Sequence, residues 1–168
     1  QPLAGAGLVI CSVLLFMGGF APWVVPYDPN VADHTARVVV PGASHWFGTD
    51  ELGRDLYSRI IHGTRVSLVV AFFSIGIGKV LGYLLGVVSA YVGGRVDLVL
   101  QRVIDAMLAF PTILLALTLV AVLGSGLDKV VAAISIVFFP SATRIARGTV
   151  LSVKENVYID AAKVVGAS

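Results

Sequence analysis

Charged residues are scarce in this chain. Its 168 residues include 12 Lys or Arg and 10 Asp or Glu, which is 13%, whereas 57% are hydrophobic. Soluble domains carry about 25% charged residues, so the composition excludes an ordinary soluble domain. The net charge of +2 is too small for the basic surface of a nucleic-acid-binding protein. We therefore expect no nucleic-acid partner.

Cysteine and catalytic motifs are also scarce. Cys11 is the one cysteine, which excludes an intramolecular disulfide, and its apolar neighbours predict a small buried hydrophobe. The sequence has no P-loop, GxSxG or paired-acid motif, and His34, His45 and His62 do not have the spacing of known metal sites. We expect no catalytic residue, metal site or bound cofactor in this chain. Uphill transport would then need energy from another chain or from an ion gradient.

Apolar residues, by contrast, occur in blocks of the length that crosses a bilayer, about 20 residues. Four spans are predicted, at about 3–25, 66–92, 104–123 and 130–150. The first is too long for the apolar region of a signal peptide, about 7–15 residues, and Trp23 and Tyr27 suit interfacial anchors. Pro111 predicts a kink in the third span, and the fourth spans only if its helix continues past Arg144. The predicted fold class is an all-α, polytopic transmembrane helical bundle.

The second span carries small residues at every fourth position, which places them on one helix face. Such faces let another helix approach closely in a membrane, so we predict a helix-packing face formed by Ser74, Gly78, Gly82, Gly86 and Ala90. Lys79 borders this face in mid-span. Its side chain could snorkel, pair with a neighbouring subunit or have a function of its own.

The longest polar stretch is the loop at 26–65. A helix is expected from Thr49, because a threonine cap followed by acidic residues suits a helix start. Asp50 and Asp55 are expected to pair with Arg54 or Arg59. Apolar residues at helical spacing predict that this helix lies on the membrane surface: Leu56, Ile60 and Ile61. Positive charges, six on one side and five on the other, only weakly favour an inside amino end.

Residues 45–168 closely resemble the inner-membrane permease subunits of bacterial dipeptide, oligopeptide and nickel ABC importers. Three segments carry the resemblance: WFGTDELGRDLYSRIIHGTRVSL, GVVSAYVGGRVDLVLQRVIDAMLAFP and ARGTVLSVKENVYIDAAKVVGAS. The first is similar to that of the C-type subunit of such a permease pair. The resemblance implies the type I importer permease fold, with four of its six spans present in 1–168. Because the chain starts at Gln1 and stops in mid-pattern, we expect a piece of a longer protein.

The resemblance also implies a role for 151–168, the start of a cytoplasmic coupling loop. The family carries a Glu-Ala-Ala motif followed by Gly there, and the matching residues are Asp160, Ala161, Ala162 and Gly166, with Asp in place of Glu. In the family this loop docks on the ATPase subunit. A cytoplasmic coupling loop implies an inside amino end and an outer loop at 26–65.

The partners that the resemblance implies are a second homologous permease, two ATPase subunits that carry ATP and Mg, an extracytoplasmic peptide-binding protein and the lipid bilayer. The implied location is the bacterial inner membrane, and the implied function is half of a translocation pathway for di- or oligopeptides, without an enzymatic activity of its own. Nickel or glutathione import is an alternative within the family. A secondary transporter, a channel and a structural membrane subunit are alternatives of other classes.

Overall fold

The structure, a computed structural model, describes residues 2–166, without the side chains of Asp160, Ala162 and Lys163. In this part of the chain there are seven helices: α1 (Pro2–Gly19), α2 (Ala21–Val24), α3 (Leu56–Val92), α4 (Gly94–Ala109), α5 (Thr112–Leu123), α6 (Leu127–Lys154) and α7 (Val157–Val164). Residues 2–166 form no strand, apart from an isolated bridge between Thr49 and Asp55. The helices fall into two compact units, 1–69 and 70–168.

The first unit contains α1, α2 and the start of α3. Gly18 is the buried residue of α1 and Met17 is half-buried, whereas the other residues of this apolar helix are exposed, as expected of a helix that faces lipid. Cys11 is exposed as well, so the prediction that it is buried is wrong. The predicted span 3–25 is divided at Phe20, and Pro22 lies in the first turn of α2, where a missing N–H costs nothing.

α3 begins later than the sequence indicates. Thr49 is part of the bridge with Asp55, so the predicted helix start at Thr49 is wrong. Asp55 caps α3 instead: its Oδ2 accepts the backbone N–H of Ser58 at 2.8 Å, the N-cap to N3 geometry. From Leu56 the helix continues to Val92, about 55 Å at 1.5 Å per residue. The predicted surface helix and the predicted span 66–92 are therefore one element.

The third predicted span, 104–123, contains two helices rather than one kinked helix. α4 starts at Gly94 and ends before Phe110, and the axis of α5 is bent by 97° from that of α4. Phe110 has extended backbone angles, φ −81° and ψ 138°, because the ring of Pro111 disfavours a helical conformation in the residue before it. In α6, by contrast, Pro140 lies inside a continuous helix.

In the second unit α3 and α6 run in the same direction. Gly78, Gly82 and Gly86 of α3 lie against Ser135, Phe139 and Thr143 of α6, respectively, so both partners advance by four residues at each contact. Within residues 2–166, three helices are long and apolar enough to cross a membrane, and α4 with α5 would add a fourth. Parallel helices need an odd number of crossings between them. The direction of α3 and α6 therefore favours α4–α5 as one broken crossing.

Candidate functional site

The predicted helix-packing face forms a closely packed seam between α3 and α6. Its five residues are all buried: Ser74, Gly78, Gly82, Gly86 and Ala90. A β-carbon added at Gly78 would lie 2.5 Å from the carbonyl oxygen of Ser135, and one at Gly82 would lie 2.5 Å from that of Phe139. At these positions the two backbones are in direct contact, which a side chain larger than hydrogen would prevent. We call Gly78, Gly82 and Gly86 the glycine seam.

Two polar residues of α6 lie at this contact, and their hydroxyls form hydrogen bonds to backbone carbonyls of α6 itself. Thr143 is fully buried, and its hydroxyl donates to the carbonyl of Phe139 at 3.0 Å. The hydroxyl of Ser135 donates in the same way to the carbonyl of Val131, at 2.7 Å. Because bonds of this type satisfy a hydroxyl without a partner on another helix, the packing of α6 on α3 relies on small size rather than on hydrogen bonds across the interface.

A cluster of charged residues joins α3, α4 and α6 where α3 and α6 end. Arg147 donates from Nε and Nη2 to both carboxylate oxygens of Asp97, at 2.8 and 2.6 Å. Ser89 donates its hydroxyl to the same carboxylate at 2.5 Å. Lys154 donates to the carbonyls of Ala90 and Tyr91 at 2.7 and 2.9 Å. We call Ser89, Asp97, Arg147 and Lys154 the helix-end cluster.

The helix-end cluster fixes the end of α6 to the end of α3. The last carbonyls of a helix lack partners within it, and the ammonium of Lys154 satisfies two of them in α3 while complementing the negative end of its dipole. The paired guanidinium and carboxylate form a bidentate ion pair, the geometry that best fixes orientation. Sequence reasoning missed this cluster, because Arg147 and Asp97 are 50 residues apart and no local spacing connects them.

A second ion pair joins α4 and α6. Arg144 and Asp105 pair through Nη2 and Oδ1, and both side chains are more than half exposed, 56% and 51%. The sequence predicts that this helix continues through Arg144 and Arg147, with these residues either snorkelling or facing protein; in the structure both pair with aspartates of α4. The exposed pair contributes less than the Asp97–Arg147 pair, because solvent screens it.

The predicted coupling segment follows the helix-end cluster directly. After Lys154 the chain turns: the N–H of Glu155 donates to the carbonyl of Leu151, and the N–H of Asn156 donates to the carbonyl of Val153. α7 then begins at Val157. Ala161 is exposed. Gly166 has φ +89°, and the space that a β-carbon would occupy there is open to 4 Å, so the backbone conformation rather than crowding favours glycine at this turn. The side chains of Asp160 and Ala162 lie outside the described residues.

The loop before α3 is organised by two aspartates. Asp50 pairs with both Arg54 and Arg59, whereas Asp55 accepts a hydrogen bond from the ring of His45 at 2.9 Å. The predicted pair of Asp55 with Arg59 is therefore wrong, and the pair of Asp50 with Arg54 is confirmed. Both carboxylate oxygens of Asp55 have other partners: Oδ2 accepts the backbone N–H of Ser58, and Oδ1 accepts the bond from His45.

Both aspartates are held in the ionised form. Burial raises the pKa of Asp50, but the backbone N–H and guanidinium of Arg54 and the backbone N–H of Leu52 outweigh it, so the pKa is well below its usual range. Burial likewise raises the pKa of Asp55, but the hydrogen bonds from Ser58 and His45 outweigh this effect and lower it. These carboxylates are thus structural anchors of the loop. Among the described residues, no group of three His, Cys, Asp or Glu side chains could hold a metal ion.

Taken together, the helices define a polytopic α-helical membrane protein. The family described as binding-protein-dependent transport system inner membrane component matches residues 82–168, more than half of the chain, and the chain belongs to that family. It is a multi-pass protein of the bacterial inner membrane. Membership confirms the resemblance to ABC importer permeases and the predicted all-α transmembrane fold.

Individual relatives agree with this family. The chain is 43% identical over 168 residues to a probable D,D-dipeptide transport system permease protein of Escherichia coli, covering 100% of this chain and 56% of the relative. It is 40% identical over 169 residues to a glutathione transport system permease protein of Pectobacterium atrosepticum, covering 100% and 56%. A dipeptide transport system permease protein of Alkalihalophilus pseudofirmus is 40% identical over 164 residues, 98% of this chain and 54% of that protein. The chain therefore spans about half the length of these relatives.

Proposed function

We propose that this chain forms half of the translocation pathway of an ATP-driven importer for small peptides. Family membership supports a transport role, and the names of the relatives support dipeptides and, as a second candidate, glutathione. The other half would be a second, homologous permease. An extracytoplasmic binding protein would deliver the peptide, and two ATPase subunits would hold ATP and Mg.

The observation that carries the coupling role is the path of α6. This helix continues without a break from Leu127 to Lys154, is fixed to α3 and α4 by the helix-end cluster, and leads within two residues into α7. A movement of α7 would therefore be transmitted to the bundle through a continuous helix that is fixed to its neighbours, and not through a flexible loop. We propose that Asp160, Ala161, Ala162 and Gly166 dock on an ATPase subunit.

The energetics require that the bundle have two states. ATP binding drives a change of conformation only if the ATPases bind one state of the permease more tightly than the other. In the proposed cycle, closure of the ATPases moves α7, and α6 and α3 move with it because the glycine seam and the helix-end cluster join them. Helices that are joined in this way move as a rigid pair. In the proposed cycle, the movement of this pair closes the pathway on one side of the membrane and opens it on the other.

Replacement of Gly166 tests the coupling role. In the complete transporter, reconstituted in proteoliposomes with peptide-loaded binding protein, we expect Gly166→Trp to reduce ATP-driven uptake of alanyl-alanine by about tenfold or more, because the indole blocks close docking. The matched control is Gly124→Trp. Gly124 has nearly the same φ, +90° against +89°, and no described atom lies within 4 Å of a β-carbon added at either residue, but Gly124 lies in the turn between α5 and α6.

The two variants separate a docking effect from a folding effect. Gly124→Trp also places a bulky residue at a positive φ, but it lies outside the proposed docking segment, so it is expected to keep uptake within about twofold of the wild type. Equal uptake by Gly166→Trp and the wild type, measured with the permease present in the membrane at equal amounts, would contradict the coupling role. Uptake that does not depend on ATP would contradict the importer itself.

A further inference from the structure

Lys79 lies in the middle of the membrane-crossing part of α3. It is 13 residues before the last residue of the helix, Val92, which places it about 20 Å from that end at 1.5 Å per residue. Its side chain is exposed. A charged side chain that faces hydrocarbon at this depth is costly, and such residues in membrane proteins face protein or a water-filled cavity. We therefore expect the exposed face around Lys79 to meet protein or water rather than lipid.

Within the described residues, the charged side chains of α6 all have partners that the structure shows. Arg147 pairs with Asp97, Arg144 with Asp105, and Lys129 with Asp128, while Lys154 binds the end of α3. Lys79 has no ion pair or hydrogen bond with any described side chain. A partner for the charge of Lys79 would therefore lie outside the described part of this chain.

Lys79 belongs to a stripe of exposed residues that differs from the glycine seam. Phe72 and Tyr83 are seven residues before it and four after it, which places all three on one side of the helix. Phe72 is 76% exposed and Tyr83 is 43% exposed. Gly76, on the same side, has nothing within 4 Å of the position of a β-carbon. The stripe thus combines an ammonium, two aromatic rings, a hydroxyl and a gap beside the lysine.

We propose that Lys79 lines the translocation pathway and binds the carboxylate of the transported peptide, with Phe72 and Tyr83 contacting its apolar part. This inference rests on the proposed function. Dipeptides and glutathione carry a carboxylate at neutral pH, so this group complements the ammonium of Lys79, and Gly76 leaves room for a ligand beside it. A carboxylate of the second permease is the competing partner, which the experiment distinguishes.

The experiment compares alanyl-alanine with its carboxamide, which lacks the negative charge. Both are supplied on saturating, loaded binding protein to the complete transporter in proteoliposomes, with ATP inside the compartment that holds the ATPases. Lys79→Met is expected to reduce uptake of alanyl-alanine by about tenfold or more, the size of a lost charge-assisted hydrogen bond. Uptake of the carboxamide is expected to change by less than about twofold, and Lys79→Arg is expected to retain most uptake of alanyl-alanine.

Lys129→Met is the matched control, because it removes the same side chain at the start of α6, where Lys129 pairs with the exposed Asp128. It is expected to leave uptake of both compounds unchanged. Co-purification of the second permease with a tagged chain is measured in parallel and is expected to be the same for Lys79→Met and the wild type.

Three results would overturn the assignment of Lys79 while leaving the importer intact. They are unchanged uptake by Lys79→Met, an equal loss of uptake for alanyl-alanine and its carboxamide, and loss of the second permease from the purified complex. The last would assign Lys79 to a contact between subunits. A wild-type transporter that imports neither compound would overturn both the proposed function and this inference.

Discussion

Gly82 has no room for a side chain, although it lies in a helix where alanine is the better helix former. A β-carbon there would lie 2.5 Å from the carbonyl oxygen of Phe139 and 2.8 Å from Cβ of Ala142. Both neighbours are fixed, one by the backbone and the other by its short side chain. Ala142 is itself buried, so α6 can accept an added methyl group only by moving away along the whole seam.

We predict that Gly82→Ala destabilises the bundle by about 1–3 kcal/mol, the usual cost of overpacking. The measurement is SDS-induced unfolding of the purified protein in detergent micelles. Gly76→Ala is the control, since Gly76 lies in the same helix with open space around it, and there the higher helix propensity of alanine has a neutral or slightly stabilising effect. Equal stability of the two variants would mean that α3 and α6 do not pack through the glycine seam.

At the scale of whole helices, two ion pairs join α4 to α6, and they differ in burial. The side chains of Asp97 and Arg147 are 13% and 31% exposed, and Ser89 adds a third group to the carboxylate. Asp105 and Arg144 are both more than half exposed. Removing one partner of a buried, hydrogen-bonded pair leaves the other unsatisfied, whereas an exposed pair contributes little.

Arg147→Gln is therefore expected to destabilise the protein by about 1–2 kcal/mol, and Arg144→Gln by less than about 0.5 kcal/mol. The two variants remove the same group from the same helix, and thermal unfolding in detergent compares them directly. In a double-mutant cycle, Asp97→Asn is expected to add little to Arg147→Gln, because the pair is already broken. Fully additive effects would show that the two side chains do not act together.

The sequence identifies elements whose signals are local. The apolar blocks, the four-residue repeat of small residues and the pairing of Asp50 with Arg54 all depend on neighbours within one helix or loop. The position at which α3 starts does not depend on local sequence alone. A threonine followed by acidic residues suits a helix cap, but Thr49 donates its hydroxyl to the carbonyl of Ala36 at 2.5 Å. A contact 13 residues away thus outweighs a favourable local pattern.

The break between α4 and α5 shows the same limit. Pro111 predicts a disturbance of the helix, but whether a proline kinks or breaks a helix depends on what its neighbours pack against. Pro140 is buried in a continuous α6, whereas Phe110, before Pro111, is extended and exposed. In the helix-end cluster, Lys154 is 64 residues from Ala90 and Arg147 is 50 residues from Asp97, so no pattern in the sequence predicts that Lys154 caps α3.

For the molecule as a whole, the direction of α3 and α6 constrains the path of the chain through the membrane. Both helices are long enough to cross, and they run parallel through the glycine seam. The chain therefore leaves α3 on one side of the membrane and enters α6 on the other. A re-entrant α4–α5 pair would return the chain to the side on which α3 ends, and α6 would then have to run antiparallel to α3.

Cysteine labelling tests this path, and the sequence makes the background simple, because Cys11 is the one cysteine. In a Cys11→Ser protein, Ser125→Cys places a thiol in the turn between α5 and α6, and Asn156→Cys places one in the turn after α6; both positions are exposed. We predict that a membrane-impermeant maleimide labels Ser125→Cys in intact cells and labels Asn156→Cys only after the membrane is opened. Arg95→Cys, at the start of α4, is the third position and is expected to behave like Asn156→Cys. Labelling of Ser125→Cys and Arg95→Cys from the same side would show that α4–α5 is re-entrant, and the parallel seam between α3 and α6 would then be wrong.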